Sequence, residues 1–244
     1  MEKKNNDFCF EILNRLNDAG VLKHVILIGS WSIYFYKYYF KSRDYSTFIR
    51  TKDIDFLVSV PVKFSKVTNV FKLVKDLGFI ESHRGSEGYV VLEHPDLSIE
   101  FLVPEKGRGA TKPYFIPQLA INAQPLRYLD FLAENTISVN VDGLFLTLPH
   151  PAAYALHTFI VFKRRKNVEK HDRDIEGALR VFHELLRNNQ AEEIKSIYER
   201  MHKKWREQLL RNLRSIDELE IVNLLKGSKK DWFESRNKPQ IFSS

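Results

Sequence analysis

VILIGS (residues 25–30) and TKDIDFLVSV (residues 51–60) decide how this chain is read. The first is an apolar strand closed by Gly29 and Ser30, and the second is an apolar strand opened by Asp53 and Asp55. A strand repeats every two residues, so Asp53 and Asp55 share one face while Ile54, Phe56 and Val58 occupy the other. Two carboxylates placed that way repel each other without a cation, which predicts a site for one or two divalent ions. The Gly29-Ser30 turn puts backbone N–H groups and a hydroxyl at a helix N-terminus, an arrangement suited to phosphate. Phosphate and metal together point to nucleotide chemistry.

Working outward, Phe8, Ile12, Leu13, Leu16 and Ala19 recur at helical spacing and stop at Gly20, a C-cap residue. The aromatic run WSIYFYKYYF after Ser30 predicts a helix packed on the sheet. A strand over 54–60 leads to an amphipathic helix in which Phe64, Val67, Val70, Phe71, Val74 and Leu77 share a face and Gly78 ends the run. Strands are expected near 79–82, 88–93 and 97–103, then a glycine-rich basic loop over 104–113, a short helix over 125–134 and a hairpin over 137–148 turning at Asp142-Gly143. Helical periodicity runs from Pro149-His150-Pro151 to about residue 226, followed by a polar tail. The alternation predicts an α/β (α+β) fold with a mixed sheet and flanking helices in residues 1–148, followed by a helical domain over 149–244.

The 244 residues are 43% hydrophobic, enough for one substantial core. No apolar run is long enough to span a membrane and the opening MEKKNNDFCF is not a signal peptide, so a cytoplasmic protein is expected. The lone cysteine, Cys9, permits no internal disulfide and no cysteine zinc site. A net charge of +7, concentrated in KRRKNVEKHDR (163–173) and MHKKWREQLLRNLR (201–214), favours polyanionic partners such as nucleic acid or nucleoside triphosphates. Walker A, G-x-S-x-G and G-x-G-x-x-G motifs are lacking, which argues against P-loop enzymes, serine hydrolases and Rossmann dehydrogenases. His150, His157 and His171 form no i,i+4 pair, and no zinc site is expected.

Phosphoryl transfer by a metal pair calls for a third carboxylate, because one ion must also ease deprotonation of the attacking hydroxyl. In LSIEFLVP (97–104) the alternation sends Ile99, Phe101 and Val103 to one side and leaves Glu100 beside Ser98 on the other. Glu93 and Asp96 flank a predicted turn, where solvent would satisfy them. In the helical half, Lys163 and Lys170 would share a face if the helix ran unbroken through Asn167, either reaching a triphosphate across a cleft or forming an exposed helix end.

This order of elements resembles the nucleotidyltransferase superfamily related to DNA polymerase beta, and within it two bacterial branches, the uncharacterised nucleotidyltransferase-like family and the AbiE-type abortive-infection toxins. ILIGSWSIYFY resembles their first motif, RTKDIDFLV their acidic motif, and PHPAAYALHTFIVFKRRKNVEKHDRDI their helical segment. The resemblance implies metal ligation by Asp53, Asp55 and Glu100, phosphate binding at Gly29 and Ser30, and basic contacts from among Lys163, Arg164, Arg165, Lys170 and Arg173, with Asp174 completing an Arg-Asp pair. Trp31 departs from it, since many relatives carry a small residue there; pointing inward, its bulk would narrow the triphosphate site. The implied activity is transfer of a nucleoside monophosphate from an NTP to a hydroxyl of RNA, protein or a small molecule, with Mg²⁺ or Mn²⁺, and an antitoxin-like partner is implied alongside. The rival expectation is a non-catalytic module that keeps the fold and binds RNA or a protein through its basic helical half.

Overall fold

A computed structural model describes residues 2–42, 45, 51–61, 66–85, 88–107, 112–164 and 168–227, with backbone alone for 2–5 and 168–170. Phe64, Arg165, Asn167, residues 108–111 of the basic loop, the Lys170 side chain and the tail beyond 227 lie outside the described parts.

The fold is a mixed α/β sheet with flanking helices. Helix α1 (Glu2–Asp18) ends as the sequence predicts: Gly20 adopts φ +71°, and the amides of Gly20 and Val21 bond back to Asn17 and Leu16 at 2.8 Å each. Strand β1 (Ile26–Ile28) feeds α2 (Ser30–Phe40) through Gly29. There follow β2 (Asp53–Leu57), α3 (Val70–Val74), β3 (Ile80–Arg84), β4 (Tyr89–Glu93), β5 (Ser98–Pro104), β6 (Tyr114–Ile116), β7 (Ile121–Leu126) and α4 (Leu129–Glu134). The hairpin β8 (Thr136–Val141) and β9 (Leu144–Pro149) turns where expected, with Asp142 and Gly143 both at positive φ. Helices α5 (Pro151–Val161), α6 (Val168–Arg187), α7 (Ala191–Arg200), α8 (Lys203–Arg214) and α9 (Leu219–Lys226) complete the chain.

The sheet runs β1-β2-β5-β4-β3, with β2 and β5 parallel and β1 antiparallel to β2. Strand β5 is its hub. One edge of β5 carries β2; the other carries β4 against Ser98–Glu100 and β7, parallel, against Leu102–Pro104. One sheet face is apolar, with Ile54, Phe56, Ile99 and Phe101 at most 1% exposed and the Phe56 and Phe101 rings stacked 5.5 Å apart. Burying each such side chain contributes roughly 1.5–3 kcal/mol.

Helix α5 is buried almost all round, from Pro151 to Ile160, and packs against α4, α6, α7 and α8. Its N-terminus is capped by His150, whose Nδ1 accepts the Ala152 amide at 3.2 Å, and its last carbonyls are met by the buried Asn212 amide, 2.8 Å from Phe159 O and 3.0 Å from Ile160 O. Among the described residues no helix is long and apolar enough to cross a membrane.

The structure corrects several sequence expectations. The helix expected from Phe64 begins only at Val70, and Val67 is 79% exposed. The segment expected to be helical over 125–134 is divided between the end of β7 and α4, and neither β6 nor β7 was anticipated. The expected face shared by Lys163 and Lys170 needs a continuous helix, yet α5 stops at Val161, Lys163 lies in a 3-10 turn and Lys170 belongs to α6.

Candidate active site

The polar face of the sheet begins with strand register. Asp55 stands opposite Glu100 and Asp53 opposite Ser98 on the parallel pair β2–β5, so the alternation that buries Ile54, Phe56, Ile99 and Phe101 lines up Asp53, Asp55 and Glu100 on the other side. Ile28 pairs with Asp55 from β1, and Gln124 pairs with Leu102 from β7, extending the same face. The Ser98 hydroxyl donates to Asp53 Oδ1 at 2.9 Å and the Asp53 amide donates to Thr51 Oγ1 at 3.2 Å, which orients the first carboxylate.

Gly29 closes β1 at φ +70°, ψ −153°, a conformation that side chains with a Cβ strongly resist. The Gly29 carbonyl accepts from the Ser32 amide at 3.2 Å and the Ser32 hydroxyl at 2.7 Å, which turns the chain into α2. The turn thereby presents the start of α2 beside Asp55. Trp31 does not narrow the site: it is fully buried, packs against Tyr34 and Phe35, and is not among the residues lining the cavity. Its place in the first turn of α2 points it into the core.

These groups line a cavity of about 450 Å³ whose floor is the sheet and whose walls are α4, α5 and α6. Gly29, Ser30, Asp53, Asp55 and Glu100 all line it. From α6 come Arg173 and Asp174, and also Glu176 and Arg180, which the sequence reading missed. Gly177 explains their approach: a Cβ there would lie 3.0 Å from Ile33 Cδ1, so glycine lets α6 lie close to α2. A glycine with arginines four residues before and three after, on one helix face, was the available signal. Lys163 is exposed and is not part of the lining.

Glu93 has protein partners as well as solvent, its side chain being 32% exposed. Ser82 Oγ donates to its Oε2 at 2.7 Å and Arg84 Nε to its Oε1 at 3.0 Å, and these bonds keep its carboxyl below the usual range. Arg84 Nη1 also lies 3.6 Å from Glu100 Oε1.

Among the described lining residues, five carboxylates and two arginines give a formal charge of −3. The oxygen-only donors of Asp53, Asp55 and Glu100 fit hard divalent cations such as Mg²⁺ or Mn²⁺, and two of these would reverse the sign of the pocket. Among the described residues no three His, Cys, Asp or Glu side chains are drawn together as a metal site.

A family model described as nucleotidyltransferase matches residues 8–203. No curated protein matches the chain. Among solved structures, the antibiotic-resistance factor ANT(2'')-Ia in solution is 12% identical with a TM-score of 0.46, over 90% of this chain and 98% of that one. An antigenic nucleotidyltransferase-like protein from Paracoccidioides brasiliensis is 13% identical with a TM-score of 0.49, over 91% and 93% of the two chains. ANT(2'')-Ia in complex with adenylyl-2''-tobramycin is 14% identical with a TM-score of 0.43, over 78% and 92%.

Proposed function

Because the chain belongs to the nucleotidyltransferase family, we propose that its cavity is the active site of an enzyme that moves a nucleoside monophosphate from an NTP to an acceptor hydroxyl. The observation that carries this reading is the placement of Asp55 directly opposite Glu100, with Asp53 on the same face, in a cavity shared with the Gly29-Ser30 turn and the arginines of α6.

Asp53, Asp55 and Glu100 would hold Mg²⁺ or Mn²⁺, which when bound offsets phosphate charge and eases loss of the acceptor's proton. Gly29 and Ser30 set the phosphate chain against the N-terminus of α2, where backbone dipoles favour negative charge. Arg173 and Arg180 neutralise the negative charge that the metal leaves uncompensated, including that on the departing pyrophosphate. The acceptor oxygen forms its bond to the α-phosphorus as the bond to pyrophosphate breaks, and the chain's share of the work is position and charge. In this reading the domain of residues 1–148 carries the carboxylates, and α5 and α6 of the helical domain close the cavity from the other side. The motif resemblances of ILIGSWSIYFY and RTKDIDFLV support a place near the AbiE-type branch, in the cytoplasm, with an antitoxin-like partner.

The test is incubation of the full chain with each α-labelled NTP, Mg²⁺ and cell lysate. The reading predicts a labelled product with at least one NTP, whose identity as RNA, protein or small molecule names the acceptor. A folded chain that labels nothing, yet holds RNA with steep salt dependence and no metal requirement, is instead a binding module.

A further inference from the structure

We propose that Arg84 is a built-in stand-in for a divalent cation at Glu100, and that Glu93 holds it in place. The proposal rests on the reading of Asp53, Asp55 and Glu100 as the cation-binding carboxylates. Strand register sets a row across the sheet: Ser82 opposite Val91, Val91 opposite Glu100, and Glu100 opposite Asp55. Arg84, two residues from Ser82 on the same strand face, reaches along the sheet to both Glu93 and Glu100.

Its two attachments are unequal. Nε and Nη2 both donate to Glu93 Oε1, and Glu93 is itself fixed by Ser82 Oγ at 2.7 Å. Glu100 receives only a loose contact, Nη1 to Oε1 at 3.6 Å. The Glu100 side chain is 18% exposed and faces Asp55 across the strand pair, so its charge is poorly screened by water and opposed by a neighbouring anion. Arg84 offsets that charge from outside the cavity, since it is not among the lining residues. An ion arriving from the cavity side displaces the long Arg84 contact while Arg84 stays on Glu93. The arginine thus stabilises the ion-free carboxylates and weakens the hold of the site on a bare cation.

The experiment is titration of the full chain with Mn²⁺ alone, read by electron paramagnetic resonance, for the parent, Arg84→Gln, Glu100→Gln, the double variant, and Asp53→Asn with Asp55→Asn. Arg84→Gln is expected to tighten Mn²⁺ binding about fivefold, the upper size of one partly exposed ion pair, here the Arg84–Glu100 contact that the cation must displace. In the Glu100→Gln background the same change should shift affinity less than about twofold, because the coupling partner is gone. Equal affinity in the parent and Arg84→Gln, or equal shifts in both backgrounds, overturns the role of Arg84 and leaves the carboxylate reading standing. Mn²⁺ binding that survives Asp53→Asn with Asp55→Asn, or a folded parent that binds none, overturns the carboxylate reading and this proposal with it. Arg84→Met repeats the measurement should the glutamine variant fail to fold.

Discussion

A side chain at position 29 and the carboxylate of Asp55 compete for the same space. A Cβ built on Gly29 falls 2.5 Å from Asp55 Oδ2, closer than real Cβ contacts come. The turn that delivers α2 is therefore packed directly on one of the acids it serves, and glycine is demanded both by its backbone angles and by its neighbour.

Gly29→Ala should thus do two things at once. The disfavoured φ and ψ cost about 1–3 kcal/mol of stability, read as a lower denaturation midpoint. The displaced Asp55 should lower turnover by about 100-fold, the scale seen when a reacting group shifts by about an ångström. An alanine variant with parental turnover would show that the position of Asp55 does not matter.

Glu100→Gln separates chemistry from binding. If Glu100 supports proton loss from the acceptor, kcat falls about 100-fold or more while the KM for NTP stays within about threefold. The reverse pattern, intact kcat with raised KM, would assign Glu100 to the donor nucleotide.

Helix α6 is expected to hold the triphosphate through Arg173 and Arg180, the arginines in the cavity lining. Arg180→Gln should raise the KM for NTP about tenfold or more, the loss expected of one hydrogen bond to a charged group. Lys163→Gln should leave it unchanged, since Lys163 lies outside the lining. Steady-state kinetics on the two variants decides between them.

How much of this was legible in the sequence depends on the distance over which each feature is decided. Strand parity alone placed Asp53, Asp55 and Glu100 on one face, because a period of two leaves no freedom once Ile54, Phe56, Ile99 and Phe101 must be buried. Strand β7 was not legible because Pro125 reads as a strand breaker; it stands opposite Val103 of β5, beyond the β6–β7 ladder, which reaches Ala123. Arg180 was signalled only by the spacing of Arg173, Gly177 and Arg180 on one helix face, and which way that face points is decided by the close packing of α6 at Gly177, a tertiary contact. Whether Trp31 narrows the site was not legible, because a helix's first turn can face core or cavity, and only the packing with Tyr34 and Phe35 decides which.

Stability should fall with mild acid through His150. Burial pushes its pKa below the ordinary 6.5, with Glu193 pulling the other way and Arg200 adding to the depression, while Tyr39 lies 3.4 Å from Nε2. Its Nδ1 must remain unprotonated to accept the Ala152 amide. The folded state therefore binds this proton less readily than the unfolded state, so the contribution is fully present above the unfolded value of 6.5 and is lost as pH falls from there through the lowered folded value. His24, also depressed by burial, acts in the same direction. Thermal melts from about pH 7.5 to about pH 5.5 should show a falling midpoint, and His150→Asn, which keeps a capping acceptor, should flatten part of the slope. An identical slope in that variant would remove His150 from the account.

The central claim is that Asp53 and Asp55 carry metal-dependent nucleotide transfer, and the most direct measurement is transfer of label from α-labelled NTP by the parent and by Asp53→Asn with Asp55→Asn, each with a melting curve. Asparagine at position 53 keeps an oxygen for the Ser98 hydroxyl, and the melting curve establishes that the variant is folded. The account predicts a variant that melts cooperatively and transfers no label at any Mg²⁺ or Mn²⁺ concentration. A folded double variant with parental transfer would contradict it.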